Sequence, residues 1–178
     1  MFGSLFQTGD VVSTSLAVAA LASISAAALM ALGLTWTPER WRMPVAISAV
    51  ALLAAGIDYW GISTLWLAGQ KMTSGPRFAG WFVVHPLQVA AVYFFANIAG
   101  PVPAGVFWRT VVAAFLMVLS RYLGDAGYFN PTLGVLLSVA FWLYILGEMY
   151  FGRMGESVAK SGNEPAQRGY FWLRLIVT

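Results

Sequence analysis

Five runs of apolar residues, each long enough to cross a bilayer, constrain this chain more than any other feature. A hydrocarbon core about 30 Å thick takes roughly 20 residues at helical rise. Such runs stand at approximately Val11 to Leu34, Pro44 to Leu67, Pro76 to Ile98, Val106 to Gly124 and Pro131 to Phe151. A sixth starts near Tyr170 and reaches Thr178 after about nine residues, short of a crossing. The expectation is an all-α polytopic membrane bundle with five full spans and the start of a sixth, the chain ending inside a helix. Composition agrees, because 60% hydrophobic residues, 10% charged residues and a mean hydropathy of +0.74 are too apolar for an ordinary soluble domain.

The breaks carry turn chemistry: "TWTPERWRMP", "GQKMTSGP", "GPVPAG", "DAGYFNP" and the polar "GRMGESVAKSGNEPAQRG". Most are short, which predicts antiparallel neighbours in one up-and-down domain over residues 1–178. Arg40, Arg42, Arg109, Arg153, Lys160 and Arg168 follow spans one, three and five, against Lys71, Arg77 and Arg121 on the opposite side. Positive charge favours the cytoplasm, so the N-terminus is expected outside and the connection 152–169 inside, in a bacterial cytoplasmic membrane. "MFGSLFQTGD" lacks the basic flank of a secretory signal, so the first run reads as a retained span. Trp36, Trp41, Trp66 and Trp108 fall near span ends and read as interfacial anchors.

Several functions are disfavoured. A net charge of +3, scattered over connections, makes no nucleic-acid surface. Cysteine is absent, which removes thiolate nucleophiles, thiolate metal sites and disulfides. Ser63, Ser120 and Ser138 lie on separate spans with no histidine and acid to activate them, and no glycine loop cradles a phosphate, so no enzyme is expected. His85, the single histidine, is a poor metal site. A five-helix transporter has no positive signal.

The third span holds the informative stretch, "PRFAGWFVVHPL". Arg77, Gly80, Trp81 and Val84 follow helical spacing and share one face, expected to look into the bundle. A charge there needs a partner, or Arg77 reaches the outer interface. This stretch resembles the third helix of the microbial rhodopsins, in particular the proteorhodopsin and xanthorhodopsin branch. There, arginine, two residues, a carboxylate, tryptophan, four residues, proline and leucine follow one another, matched by Arg77, Gly80, Trp81, Pro86 and Leu87. "LMVLSRYLGDAG", "FWLYILGEMYFG" and "RGYFWLRLIVT" extend the resemblance over nearly the whole chain.

The resemblance implies a helical bundle with the N-terminus outside, and a retinal site from which this chain departs. Gly80 stands where the family places the carboxylate that balances the protonated Schiff base and accepts its proton. Val84 replaces a usually polar residue, and Ala91 a carboxylate proton donor of many pumps. The family's retinal-linking lysine lies in a seventh helix, whereas Lys71 and Lys160 fall in polar connections. Trp81, Trp142 and Tyr144 match aromatic positions that line the family's retinal pocket, and matter as cofactor contacts only if retinal or another pigment binds.

Asp58 is the carboxylate in mid-span, where the branch places a histidine facing the counterion. It either faces the gap left by Gly80, or serves structure by pairing with Arg77 or by staying protonated and hydrogen-bonded; the structural role is the expectation. His85 is expected to bond Asp125 across the third and fourth spans, and Glu148 to be interfacial or to pair with Arg153 or Arg109. Two functions follow. The first is a degenerate rhodopsin relative without retinal photochemistry, serving as scaffold or accessory subunit of a larger membrane assembly such as a photosynthetic complex, with lipid, carotenoid or other membrane proteins against it. The second is a retinal-binding sensor, channel or atypical ion pump whose C-terminal helices lie outside the sequence read.

Overall fold

Small polar residues at the edges of the apolar runs decide where the helices begin. In the computed structural model, which describes residues 10–69 and 74–178, the Asp10 carboxylate accepts the backbone N–H groups of Val12 at 3.0 Å and Ser13 at 3.3 Å. It thereby caps α1 (Val11–Gly33). Asn130, followed by Pro131, opens α5 (Pro131–Tyr150) in the same way. Between them lie α2 (Glu39–Leu67), α3 (Ser74–Ala99) and α4 (Ala104–Asp125). Gly127 ends α4: its φ of +82° closes a turn in which the Tyr128 N–H donates to the Leu123 carbonyl.

Five helical stretches among the described residues are long and apolar enough to cross a membrane. Each helix packs on the next in chain order, from α1 through α5. The distribution of side chains is that of a protein solvated by lipid. Ala17 and Ala20 of α1 are fully buried against α2, while Leu29, Ile57 and Leu136 turn outward at 62–69% exposure. Without water outside to drive large side chains inward, small residues let helix backbones approach. Thus Gly56 of α2 lies against Ala20 and Ile24, and Gly134 of α5 against Ser120 and Gly124 of α4. The chain sits in a lipid bilayer as an integral membrane protein.

Two boundaries differ from the sequence expectation. The second helix starts at Glu39, before Pro44, because Pro38 serves as its N-cap and a proline early in the helix gives up only one bond. The connection 152–169 is not a plain polar loop: it holds α6 (Arg153–Lys160) and the start of α7 (Glu164–Val177). Met154 and Val158, one turn apart, bury into the bundle, while Glu156 pairs outward with Arg153 and Lys160. Asn163 then caps α7, which begins at Glu164, well before Tyr170. Charged residues around a single apolar pair conceal so short an amphipathic helix.

The core gathers where α3, α4, α5, α6 and α7 meet, around Val92, Ala96, Val106, Ile145, Met149 and Tyr170. Its polar groups are satisfied: Tyr93 Oη donates to the Val102 carbonyl at 3.0 Å and Tyr170 Oη to the Met149 carbonyl at 3.0 Å.

Candidate functional site

The site is built on α3, whose two sides border two cavities. One, of about 380 Å³, opens between α3, α4, α5 and α7 and is lined among others by His85, Met117, Ser138, Val139, Trp142 and Ile145. The other, of about 280 Å³, lies between α1, α2, α3 and α7 and includes Met30, Ala55, Val84, Ala91 and Leu173. Gln88, Ile176 and Val177 border both. Together they run across the bundle from the α1–α2 side to the α4–α5 side.

Asp58 lies one turn from Ala55 on α2, and Gly80 one turn from Val84 on α3, so the pair sits directly beyond the second cavity. The Gly80 N–H donates to Asp58 Oδ1 at 3.1 Å. A Cβ at position 80 would stand 2.6 Å from Asp58 Cβ and closer still to the carboxyl group. The volume a side chain at position 80 would take is therefore filled by the carboxyl of Asp58.

Arg77 does not pair with Asp58. Its guanidinium reaches Asp125 at 3.5 Å, with Arg121 also 3.9 Å from that carboxylate, and at 46% side-chain exposure it lies at the end of the bundle. Such exposed pairs contribute about 0–1 kcal/mol each. The face shared by Arg77, Gly80, Trp81 and Val84 is thus divided: Gly80 and Val84 look inward, Arg77 outward.

The expected His85–Asp125 bond is absent. Asp125 instead accepts from Ser74 Oγ at 2.9 Å, while His85 Nδ1 lies 3.2 Å from the Trp81 carbonyl on its own helix. The eleven residues from Ser74 to His85 amount to about 16 Å of rise, so the two depths do not match. Glu148 pairs with Arg109 Nη2 at 3.8 Å; Arg153 reaches it only through its backbone N–H, at 3.3 Å, its guanidinium pairing with Glu156 instead.

The three aromatic candidates do not converge. Trp142 lines the larger cavity, Trp81 packs between Phe78 and His85 at ring distances of 5.2 and 5.6 Å, and Tyr144 faces outward at 40% exposure. Two residues after Trp142 on a helix is the opposite side, which is why Tyr144 cannot join it. Lys160 is 78% exposed and paired with Glu156; Lys71 lies outside the described residues. Trp66 is more than an anchor, its indole N–H donating to Asp10 Oδ2 at 2.8 Å. Trp36 and Trp108 are exposed, and Trp41 packs on Phe95.

Gln88 was not singled out from the sequence, although a polar side chain within an apolar span is the signal that marks it. Its side chain makes no hydrogen bond among the described residues and lines both cavities.

The chain belongs to the bacteriorhodopsin-like protein family, whose model matches residues 10–178. It is therefore a microbial rhodopsin relative by sequence as well as by fold. It is 23% identical over 143 residues to the blue-light absorbing proteorhodopsin of Gamma-proteobacterium Hot 75m4, covering 78% of this chain and 55% of that protein. The chain thus spans about half the length of the curated relatives it matches. The crystal structure of the blue light-absorbing proteorhodopsin from Med12 superimposes with a TM-score of 0.79 at 21% identity, over 95% of this chain and 75% of that one. Xanthorhodopsin, described as a light-driven ion pump with dual chromophore, gives 0.77 at 17% identity, over 92% and 72%. At these identities the solved structures speak for the fold.

Proposed function

We propose that this protein is a retinal-binding rhodopsin that answers light as a sensor, channel or atypical ion transporter. The observation that carries the reading is the pair of cavities on the two sides of α3, which share Gln88, Ile176 and Val177 as lining residues. Small-molecule sites have volumes of about 300–1,000 Å³ and apolar walls with few polar groups. Val139, Trp142, Ile145 and Met117 give such walls to the larger cavity, suited to a flat polyene.

When bound, retinal supplies light absorption and isomerisation about a double bond. Trp142 offers aromatic surface and Ser138 a hydroxyl from α5, while Gln88 and His85 offer polar contacts from α3. Among the described residues the one lysine, Lys160, is exposed, so these residues hold and orient the cofactor and do not anchor it. Gly80, Val84 and Ala91 have no group that exchanges protons, which favours sensing or gating over proton pumping along α3. The distribution of arginine and lysine supports a bacterial cytoplasmic membrane with the N-terminus outside and residues 152–169 inside. Residues 1–178 are read as a single domain.

The test is retention of cofactor. The protein, expressed from its complete reading frame in a retinal-free host and given all-trans-retinal, should co-purify with stoichiometric retinoid and show quenched tryptophan fluorescence. Filling the larger cavity by Val139→Trp should abolish retention while the bundle still purifies. No retained retinoid in the unaltered protein would overturn the reading.

A further inference from the structure

We propose that Arg174 of α7 binds the phosphate group of an anionic phospholipid, at the end of the bundle that carries α6. The inference is independent of the retinal reading and uses none of its residues.

Arg174 is a cation whose charge is unanswered. It is partly buried, its Nε is buried with no hydrogen-bond partner, and its side chain makes no hydrogen bond among the described residues. No ion pair among them includes it: Glu148, the acid of α5 at this end, pairs with Arg109, and Glu156 with Arg153 and Lys160. What holds the guanidinium is aromatic. Its central carbon stands 4.6 Å from the Tyr150 ring centre, 5.4 Å from that of Tyr170 and 5.9 Å from that of Phe171. Rings fix a cation in place but supply none of the oxygen acceptors that its N–H groups need. A guanidinium left in that state matches a phosphate, which it meets with a pair of N–H groups at once.

An open pocket of about 230 Å³ beside the guanidinium has room for that group, lined by Gly155, Val158 and Ala159 of α6 and Gln167, Tyr170 and Arg174 of α7. Two contacts shape it. Gly155 lets α6 lie against the end of α5, since a Cβ there would stand 2.8 Å from the Met149 carbonyl oxygen and 2.9 Å from that of Tyr150. The Gln167 amide donates to the Val158 and Ala159 carbonyls at 3.3 and 3.0 Å, and so occupies oxygens at the α6 C-terminus that would otherwise repel an anion.

Depth identifies the source of the phosphate. Tyr150 is the last residue of α5, so Arg174, beside its ring, lies at the level where a span leaves the hydrocarbon. Phe151 packs on Tyr150, Phe171 lies beside Arg174, and Trp172 packs on Phe171; all three are exposed. Exposed aromatic side chains gathered at a span end mark the headgroup layer of a bilayer. A lipid phosphate in that layer reaches the pocket without leaving its leaflet.

The test uses the protein from its complete reading frame in mixed micelles, with dioleoylphosphatidylglycerol, dioleoylphosphatidylcholine or inorganic phosphate as probe, read by native mass spectrometry and thermal unfolding. The wild type should retain phosphatidylglycerol in preference to phosphatidylcholine and unfold at a higher temperature with it, whereas inorganic phosphate alone should do neither. Arg174→Gln should weaken retention roughly tenfold or more, the loss expected of a charge-assisted contact, while Arg168→Gln, exposed at the same end, should not. Ala159→Glu, at an exposed position on the pocket wall, sets a carboxylate beside Arg174 and should displace the lipid. Unchanged retention in Arg174→Gln or in Ala159→Glu would overturn the proposal and leave Arg174 a packing residue among its rings. An equal loss in Arg168→Gln would overturn it by tracing retention to the general charge of this end. Inorganic phosphate that stabilises the wild type as well as phosphatidylglycerol does would overturn the assignment to lipid. Should Arg174→Gln fail to fold, Ala159→Glu decides alone.

Discussion

Asp58 and Gly80 illustrate how a missing side chain on one helix is answered by a present one on another. Adding a single methyl at position 80 would drive it into the Asp58 carboxyl, so Gly80→Ala should lower stability by about 1–3 kcal/mol, the usual cost of overpacking. Thermal unfolding in detergent checks this, and an unchanged midpoint would show that Asp58 moves aside freely. That position 80 lacks a carboxylate, and that Asp58 could face it, were legible only through the resemblance to the microbial rhodopsins. That the carboxyl fills the gap was not legible, because it depends on how closely α2 and α3 approach. The His85–Asp125 pairing failed for a related reason: sequence gives the face of each residue well and its depth in the bilayer poorly.

A second residue-scale prediction concerns Asp10. Partial desolvation pushes its carboxyl up, but the Trp66 indole and the Ser13 and Val12 backbone N–H groups outweigh this and hold it below its ordinary value of 3.8. A carboxyl lowered in the folded state contributes stability above its unfolded value and loses it as pH falls through the folded one. The unfolding midpoint of the wild type should therefore drop more than that of Trp66→Phe as pH is taken from about 5 towards 2. Parallel curves would show that the clip between α1 and α2 contributes nothing.

Helix contacts depend on small residues and on one short amphipathic element. A Cβ on Gly134 would lie 2.8 Å from the Ser120 carbonyl and 3.0 Å from Gly124 Cα, so Gly134→Leu should force α4 and α5 apart and cost about 1–3 kcal/mol or more. The same substitution at Gly33, which has open space around it, should be nearly silent in the same unfolding assay. Met154 is fully buried, and truncating it to alanine should cost about 2–5 kcal/mol and loosen α6, measurable as faster proteolysis between α5 and α7. The five long helices were legible because lipid demands unbroken apolar length. α6 was not, because its evidence is a single i, i+4 apolar pair among charges. The early start of α7 was hidden for the same reason, its cap Asn163 lying inside a polar stretch.

On the scale of the whole molecule, the family match and the fold agree, and the bundle they describe is that of the microbial rhodopsins. The scaffold expectation leaned on the loss of the α3 carboxylate and on the point where the sequence stops. Asp58 now offers a carboxylate at the same place, and a chain that spans 55% of its curated relatives cannot turn its last residue into an argument about function. The two cavities are lined by residues from α1 to α5 and α7, and Gln88, Ile176 and Val177 line both. Sequence grouped Trp142 with Tyr144, whereas Trp142 lines the larger cavity and Tyr144, two residues on, is turned outward. The most direct measurement is the visible absorption spectrum of the protein, purified from its complete reading frame with all-trans-retinal, before and after hydroxylamine. The account predicts a visible band that hydroxylamine bleaches; a spectrum with free retinal alone, unchanged by the protein, would contradict it.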